Sequence, residues 1–236
     1  MHRYLLTSLC LFSLIAQARS GDWPGFLGPN GMARSVDVVP TTWDDTNNLA
    51  WKVDLPGTGS SSPIIVGNRV IVTCYVAGDD TAKRQVLCFN KGTGDQNWSL
   101  DFPIDYREDN YQGYITEHGY ASNTPVTDGE NVYVFLGKGG VHSITLDGKT
   151  NWSVDVGKES SNRQWGSAAS LILFENSVIV NAAEEAKAII SLDKATGKAN
   201  WRQEAGMLEL TYGTPRIVRL GSGEHELVVS FPGEVW

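Results

Sequence analysis

The stretch Ala188-Ile189-Ile190-Ser191-Leu192-Asp193-Lys194-Ala195-Thr196-Gly197-Lys198-Ala199-Asn200-Trp201 decides the fold. An alternating apolar run enters a tight turn, the turn carries Thr-Gly, and a Trp follows four residues after the Gly. The unit also occurs as Val86 to Trp98, with Thr93-Gly94 in the turn, and with a shorter turn as Ile144 to Trp152, with Asp147-Gly148. Each copy reads as a hairpin in which Gly takes a positive φ that a bulky residue would strain to adopt. The Trp then stands at a fixed place on the outgoing strand.

Outward from these hairpins the chain repeats. Trp51, Trp98, Trp152 and Trp201 recur about every 50 residues, a period typical of radial or solenoid repeats. Short β patterns precede each hairpin: Ser62 to Val66 then Asn68 to Tyr75, Thr124 to Val126 then Asn131 to Phe135, and Ser170 to Leu173 then Ser177 to Val180. Thr214 to Val218 then Glu226 to Ser230 begin a fourth set. About four short strands per period suit one blade of a β-propeller. Blades are expected near 60–101, 122–156, 166–204 and from 212 onward.

The Leu-Asp-x-x-Thr-Gly-x-x-x-Trp unit resembles the repeat of the pyrroloquinoline-quinone-type (PQQ-like) β-propellers. Trp23 to Gly31 and His118 to Ser122 are similar to its exported bacterial branch, which includes outer-membrane assembly scaffold propellers. The resemblance implies an all-β ring of seven or eight four-stranded blades, tied together where each Trp docks on its neighbour. Gly94, Trp98, Gly148, Trp152, Gly197, Trp201 and Trp51 are the expected docking residues. Residues 49–236 then form an incomplete ring whose fourth blade stops at Trp236. Leu49 to Leu55 is expected to be the outer strand of the last blade.

Composition narrows the function. The 236 residues carry 19 Lys and Arg against 27 Asp and Glu, a net charge of −8, which disfavours nucleic acid and anionic membrane as partners. Residues 1–18 read as a signal peptide: a short basic start, an apolar run too short to span, and Ala16-Gln17-Ala18 as a cleavage site, the alternative being an uncleaved anchor. Export to the periplasm, the cell envelope or the outside follows. Residues 19–48 read as an irregular N-terminal arm, and no mature segment is apolar enough for a transmembrane span. In the mature chain Cys74 and Cys88 are expected to face each other on consecutive strands, as two buried thiols in preference to a disulfide.

Candidate functional residues lie in the loops before the inner strands. His118, Tyr120, Trp165 and Tyr212 are expected around one channel mouth, with Glu117, Glu184 and Glu185 as an acidic rim favouring a basic or hydroxyl-rich ligand. Glu117 and His118, adjacent on an extended chain, would point apart, so a structural His is preferred to an acid–base or metal pair. Glu184-Glu185 reads as a solvated loop end before a cation site. Gly137-Lys138-Gly139-Gly140 joins two strands and reads as a hairpin turn. In the quinone dehydrogenases of the resembled family an adjacent Cys pair and a Glu/Asn/Asp calcium set hold the cofactor; neither can be matched here. No catalytic, cofactor or metal residue is therefore assigned, and no cofactor is expected. The reading is an exported non-catalytic propeller binding a protein or polymer. The alternative is the N-terminal part of a PQQ- and calcium-dependent alcohol or sugar dehydrogenase.

Overall fold

The computed structural model describes residues 21–78, 81–110, 112–113, 115–204 and 206–236. The expected signal peptide lies outside them. Three four-stranded antiparallel meanders follow one another: β1 (Ile64–Val66), β2 (Arg69–Val76), β3 (Lys83–Asn90) and β4 (Gln96–Pro103); β5 (Val126–Thr127), β6 (Asn131–Phe135), β7 (Val141–Thr145) and β8 (Thr150–Val154); β9 (Ile172–Phe174), β10 (Ser177–Ala182), β11 (Ala188–Asp193) and β12 (Ala199–Glu204). They form an arc of an all-β propeller that does not close. The apolar cores lie between blades. Ile71, Val86 and Cys88 of the first pack on Val132, Val134 and Ile144 of the second, and Tyr133, Phe135 and Val141 of the second pack on Val178, Val180 and Ile190 of the third.

The quoted hairpin explains how the blades attach. In the turn after β11, Asp193 Oδ1 accepts from the Thr196 backbone N–H and hydroxyl, and the Gly197 N–H closes onto Asp193 O at 2.8 Å. Gly94, Gly148 and Gly197 have φ of 78°, 81° and 72°. A Cβ on any of them would stand 2.8 Å from the indole of the preceding repeat: Trp51 over Gly94, Trp98 over Gly148, Trp152 over Gly197. Each indole N–H donates into the same turn, to Lys91 O at 2.8 Å, Leu146 O at 3.0 Å and Lys194 O at 2.9 Å. Glycine is thus demanded twice, by φ and by space.

A second tie runs around the channel. The Ser62 N–H donates to Thr124 Oγ1, the Thr124 N–H to Ser170 Oγ and the Ser170 N–H to Thr214 Oγ1, each at 3.0 Å. These four residues precede the inner strands and are structurally equivalent. The arm adds a third tie. Trp23 pairs with Ile65, Pro24 O accepts from the Thr127 N–H, and Asn30 O accepts from Arg216.

Several expectations are corrected. Leu49 to Leu55 joins no strand ladder, although Trp51 docks as expected. The fourth set gives β13 (Arg216–Arg219) paired with β14 (His225–Val228), but the long second strand breaks. Ser230–Phe231 (β15) turns back onto Glu234–Val235 (β16) instead. Cys74 lies opposite Gln85, and Cys88 opposite Ile71, because β3 starts at Lys83 and the loop is shorter than supposed. The two thiols are free, buried and on opposite faces of one sheet. Trp201 differs from the other docking tryptophans in being 43% exposed, for no described residue caps it as Gly197 caps Trp152.

Replacing Trp152 by Ala should therefore lower unfolding stability by about 3 kcal/mol, while Trp201→Ala should cost under about 1 kcal/mol. Urea titration of both variants checks the contrast; equal losses would show that docking is not what holds the blades.

Candidate functional site at the channel mouth

The loops entering the inner strands, and those joining second to third strands, gather at one end of the channel. The loop after β4 contains a single helical turn, α1 (Ile115–His118), so Glu117 and His118 are not on an extended chain. Glu117 is exposed, and His118 is half-buried at the end of that turn. Tyr120, at φ 54°, turns inward and is buried, its ring edge-on to Tyr75 at 5.1 Å. Its hydroxyl donates to the Asp109 carbonyl.

Beneath this loop lie two buried cations that sequence reading passed over. Arg84 is paired with Glu108 at 2.5 Å, donates to Tyr120 O at 3.0 Å and to the Tyr106 hydroxyl at 2.5 Å, and lies 5.5 Å from the Tyr120 ring centroid. Lys138, in the short 3₁₀ turn between β6 and β7, is paired with Asp109 at 2.9 Å and donates to Ser160 Oγ at 2.7 Å. A signal for Arg84 existed: it shares strand parity with core-facing Val86 and Cys88. Lys138 had none, since a Gly-rich turn gives no hint of burial. Both pairs clamp the loop after β4 to the blades, and losing one partner of such a pair costs about 3–5 kcal/mol.

Glu184 and Glu185 sit on α2 (Ala183–Ala186), between β10 and β11. They do not form an exposed rim, being only 5% and 2% accessible. Glu184 Oε1 accepts from the Leu210 N–H at 2.9 Å, and the Glu185 carbonyl accepts from the Glu159 N–H at 3.0 Å. The Ser161 hydroxyl lies against the Glu184 carboxyl and the Ser167 hydroxyl against that of Glu185. Both line a cavity of about 10 Å³ with Arg84, Glu108, Asp109, Lys138 and Glu159, room for about one water. Burial is the main cause that raises Glu185 to about 8, with neighbouring Glu184 adding to it. Burial also raises Glu184 and lowers His118.

What stays open is an aromatic ledge. Trp165 is 42% exposed and stacks on half-buried Tyr212, with ring centroids 6.1 Å apart and planes 25° from parallel. The Arg163 guanidinium lies 5.6 Å from the Trp165 centroid. His118 hydrogen-bonds the Trp165 backbone. The structure thus brings His118, Trp165, Tyr212 and Glu184 together, buries Tyr120 and Glu185 below them, and leaves Glu117 facing solvent. Among the described residues no three His, Cys, Asp or Glu side chains group as metal ligands, and both thiols are free and buried.

The family model described as outer membrane protein assembly factor BamB matches residues 37–105 and 109–235. No curated protein matches the sequence significantly. Among solved structures, BamB from Moraxella catarrhalis is similar at TM-score 0.53 and 18% identity, over 79% of this chain and 48% of that one. The quinohemoprotein alcohol dehydrogenase of Comamonas testosteroni is similar at TM-score 0.54 and 21% identity, over 79% of this chain and 28% of that one. Quinohemoprotein alcohol dehydrogenase ADHIIG from Pseudomonas putida HK5 follows at TM-score 0.51 and 21% identity, over 79% and 27%. The chain therefore spans about half of that BamB and about a quarter of the dehydrogenases. At these identities the likeness shows the propeller fold.

The raised Glu185 makes stability depend on pH. Its folded form holds a proton that the unfolded form has lost above about 4.5, so its contribution falls as pH rises from about 5 to about 8. Urea midpoints should drop across that window in the wild type and flatten in Glu185→Gln, which needs no proton. An unchanged slope in the variant would assign the pH dependence to another group.

Proposed function

This chain belongs to the family described as outer membrane protein assembly factor BamB, and we propose that it is a non-catalytic binding scaffold of the cell envelope, engaging a protein or polymer through the loop face at the channel mouth. One observation carries this reading. Arg84, Glu108, Lys138 and Asp109 are spent on internal pairing and Glu184 and Glu185 are buried, whereas the Trp165–Tyr212 ledge is presented to solvent with Glu117 and Arg163 exposed near it. Exposed aromatics over a rigid, satisfied base are what a binding surface needs, since they bury large area at little entropic cost. Catalysis would instead ask for reachable titratable groups held against one another.

No cofactor enters this reading. The solved dehydrogenases share the fold, but one fold hosts many functions. An envelope location accords with the family's description and with the signal-like residues 1–18; among the described residues no helix is long and apolar enough to cross a membrane.

A photo-crosslinking amino acid at position 165, introduced in the native host, should give a discrete adduct, and the same probe at Lys198 on the outer rim should give none. The purified chain supplied with PQQ and calcium should oxidise neither alcohols nor sugars with an artificial electron acceptor. Quinone-dependent turnover would overturn the scaffold reading in favour of the dehydrogenase.

A further inference from the structure

We infer that the ledge carries a cation subsite, filled in this structure by Arg163 and taken in the complex by an arginine or lysine side chain from a basic segment of a partner protein. This rests on the scaffold reading and names the partner's chemistry. The geometry begins with Gln164, a non-glycine residue at φ 54°, which separates Arg163 from Trp165. The guanidinium of Arg163 sits 5.6 Å from the indole centroid, within the range of a cation–π contact. Arg163 makes no ion pair among the described residues, and it is exposed. A lone exposed contact of this kind is weak and readily exchanged.

Behind the ring the polar groups serve one another. Tyr212 stacks on Trp165, and its hydroxyl and the Glu184 carboxyl both interact with the buried Ser161 hydroxyl. Glu184 contributes to raising Tyr212, after burial, so its carboxyl lies close enough to act on that ring. Glu117 faces solvent beside His118, and the two nearby cations, Arg84 and Lys138, are already paired with Glu108 and Asp109. An exposed indole face that already carries one cation, with Glu117 facing solvent nearby, matches a guanidinium or ammonium. The net charge of −8 adds long-range attraction for a basic partner. An acidic ligand would meet this field unfavourably, and a neutral glycan would gain nothing from it.

The test uses the full chain and four probes: acetylated hexaarginine amide, hexalysine, hexaglutamate and cellohexaose, titrated by calorimetry at low and high salt. The arginine peptide should bind, less tightly at high salt. Trp165→Ala, checked by thermal melting, should weaken it about tenfold. Arg163→Ala should tighten it, because the internal competitor is gone. Preferred binding of hexaglutamate or cellohexaose overturns the inference, as does an Arg163→Ala variant whose affinity is unchanged or lower. A position-165 crosslink that persists while no basic peptide binds removes the cation subsite and leaves the scaffold; loss of both removes both.

Discussion

An indole lying where a glycine has no side chain is the contact on which the rest of this structure depends. Trp51, Trp98 and Trp152 each cover the Gly of the next hairpin and donate into its turn, so every blade completes its neighbour's hydrogen bonding as well as its packing. A lone four-stranded meander has two open faces and two open edges. The docking fixes how successive sheets face each other, and the buried clusters between blades follow from that orientation. The exposure of Trp201 shows the same rule from the other side: without a capping turn the indole stays in solvent.

At the channel the same constraint is met by small polar groups. Ser62, Thr124, Ser170 and Thr214 pass one hydrogen bond from blade to blade, and Asn123 and Asn181 reach across to carbonyls of the next loop. Strand entry points are thereby held near the axis, where bulky residues would crowd. The loops leaving these points inherit fixed starting positions. Arg84 and Lys138 then hold the longest loop down through buried ion pairs, which specify one arrangement more than they stabilise it. A protonated Glu185 fits the same economy, because a neutral carboxyl avoids adding another charge to a crowded cavity.

Function, on this account, is a matter of what such rigidity leaves exposed. Of the carboxylates expected to colour the rim, Glu184 and Glu185 have gone inward and become part of the support, while Glu117 stays in solvent. What is left exposed above them is aromatic, with Arg163 resting on it.

From the sequence alone, the hairpin motif and its period, with the family resemblance they carry, determined the all-β propeller and the glycines and tryptophans of its docking turns. These depend on local turn chemistry and on a spacing that repeats, and both are written in order along the chain. Tertiary structure decided the rest. The register of β2 on β3 moved Cys74 away from Cys88, because one shift along a strand turns every side chain to the other face. The four candidate loop residues separated by depth: counted from the equivalent residues Thr124, Ser170 and Thr214 they occupy different positions, so Tyr120 turns under the loop while Trp165 and Tyr212 stack above. Burial of Glu184, Glu185 and Lys138 arises from contacts between segments distant in sequence, and a charge on a turn carries no mark of the neighbour that will cover it.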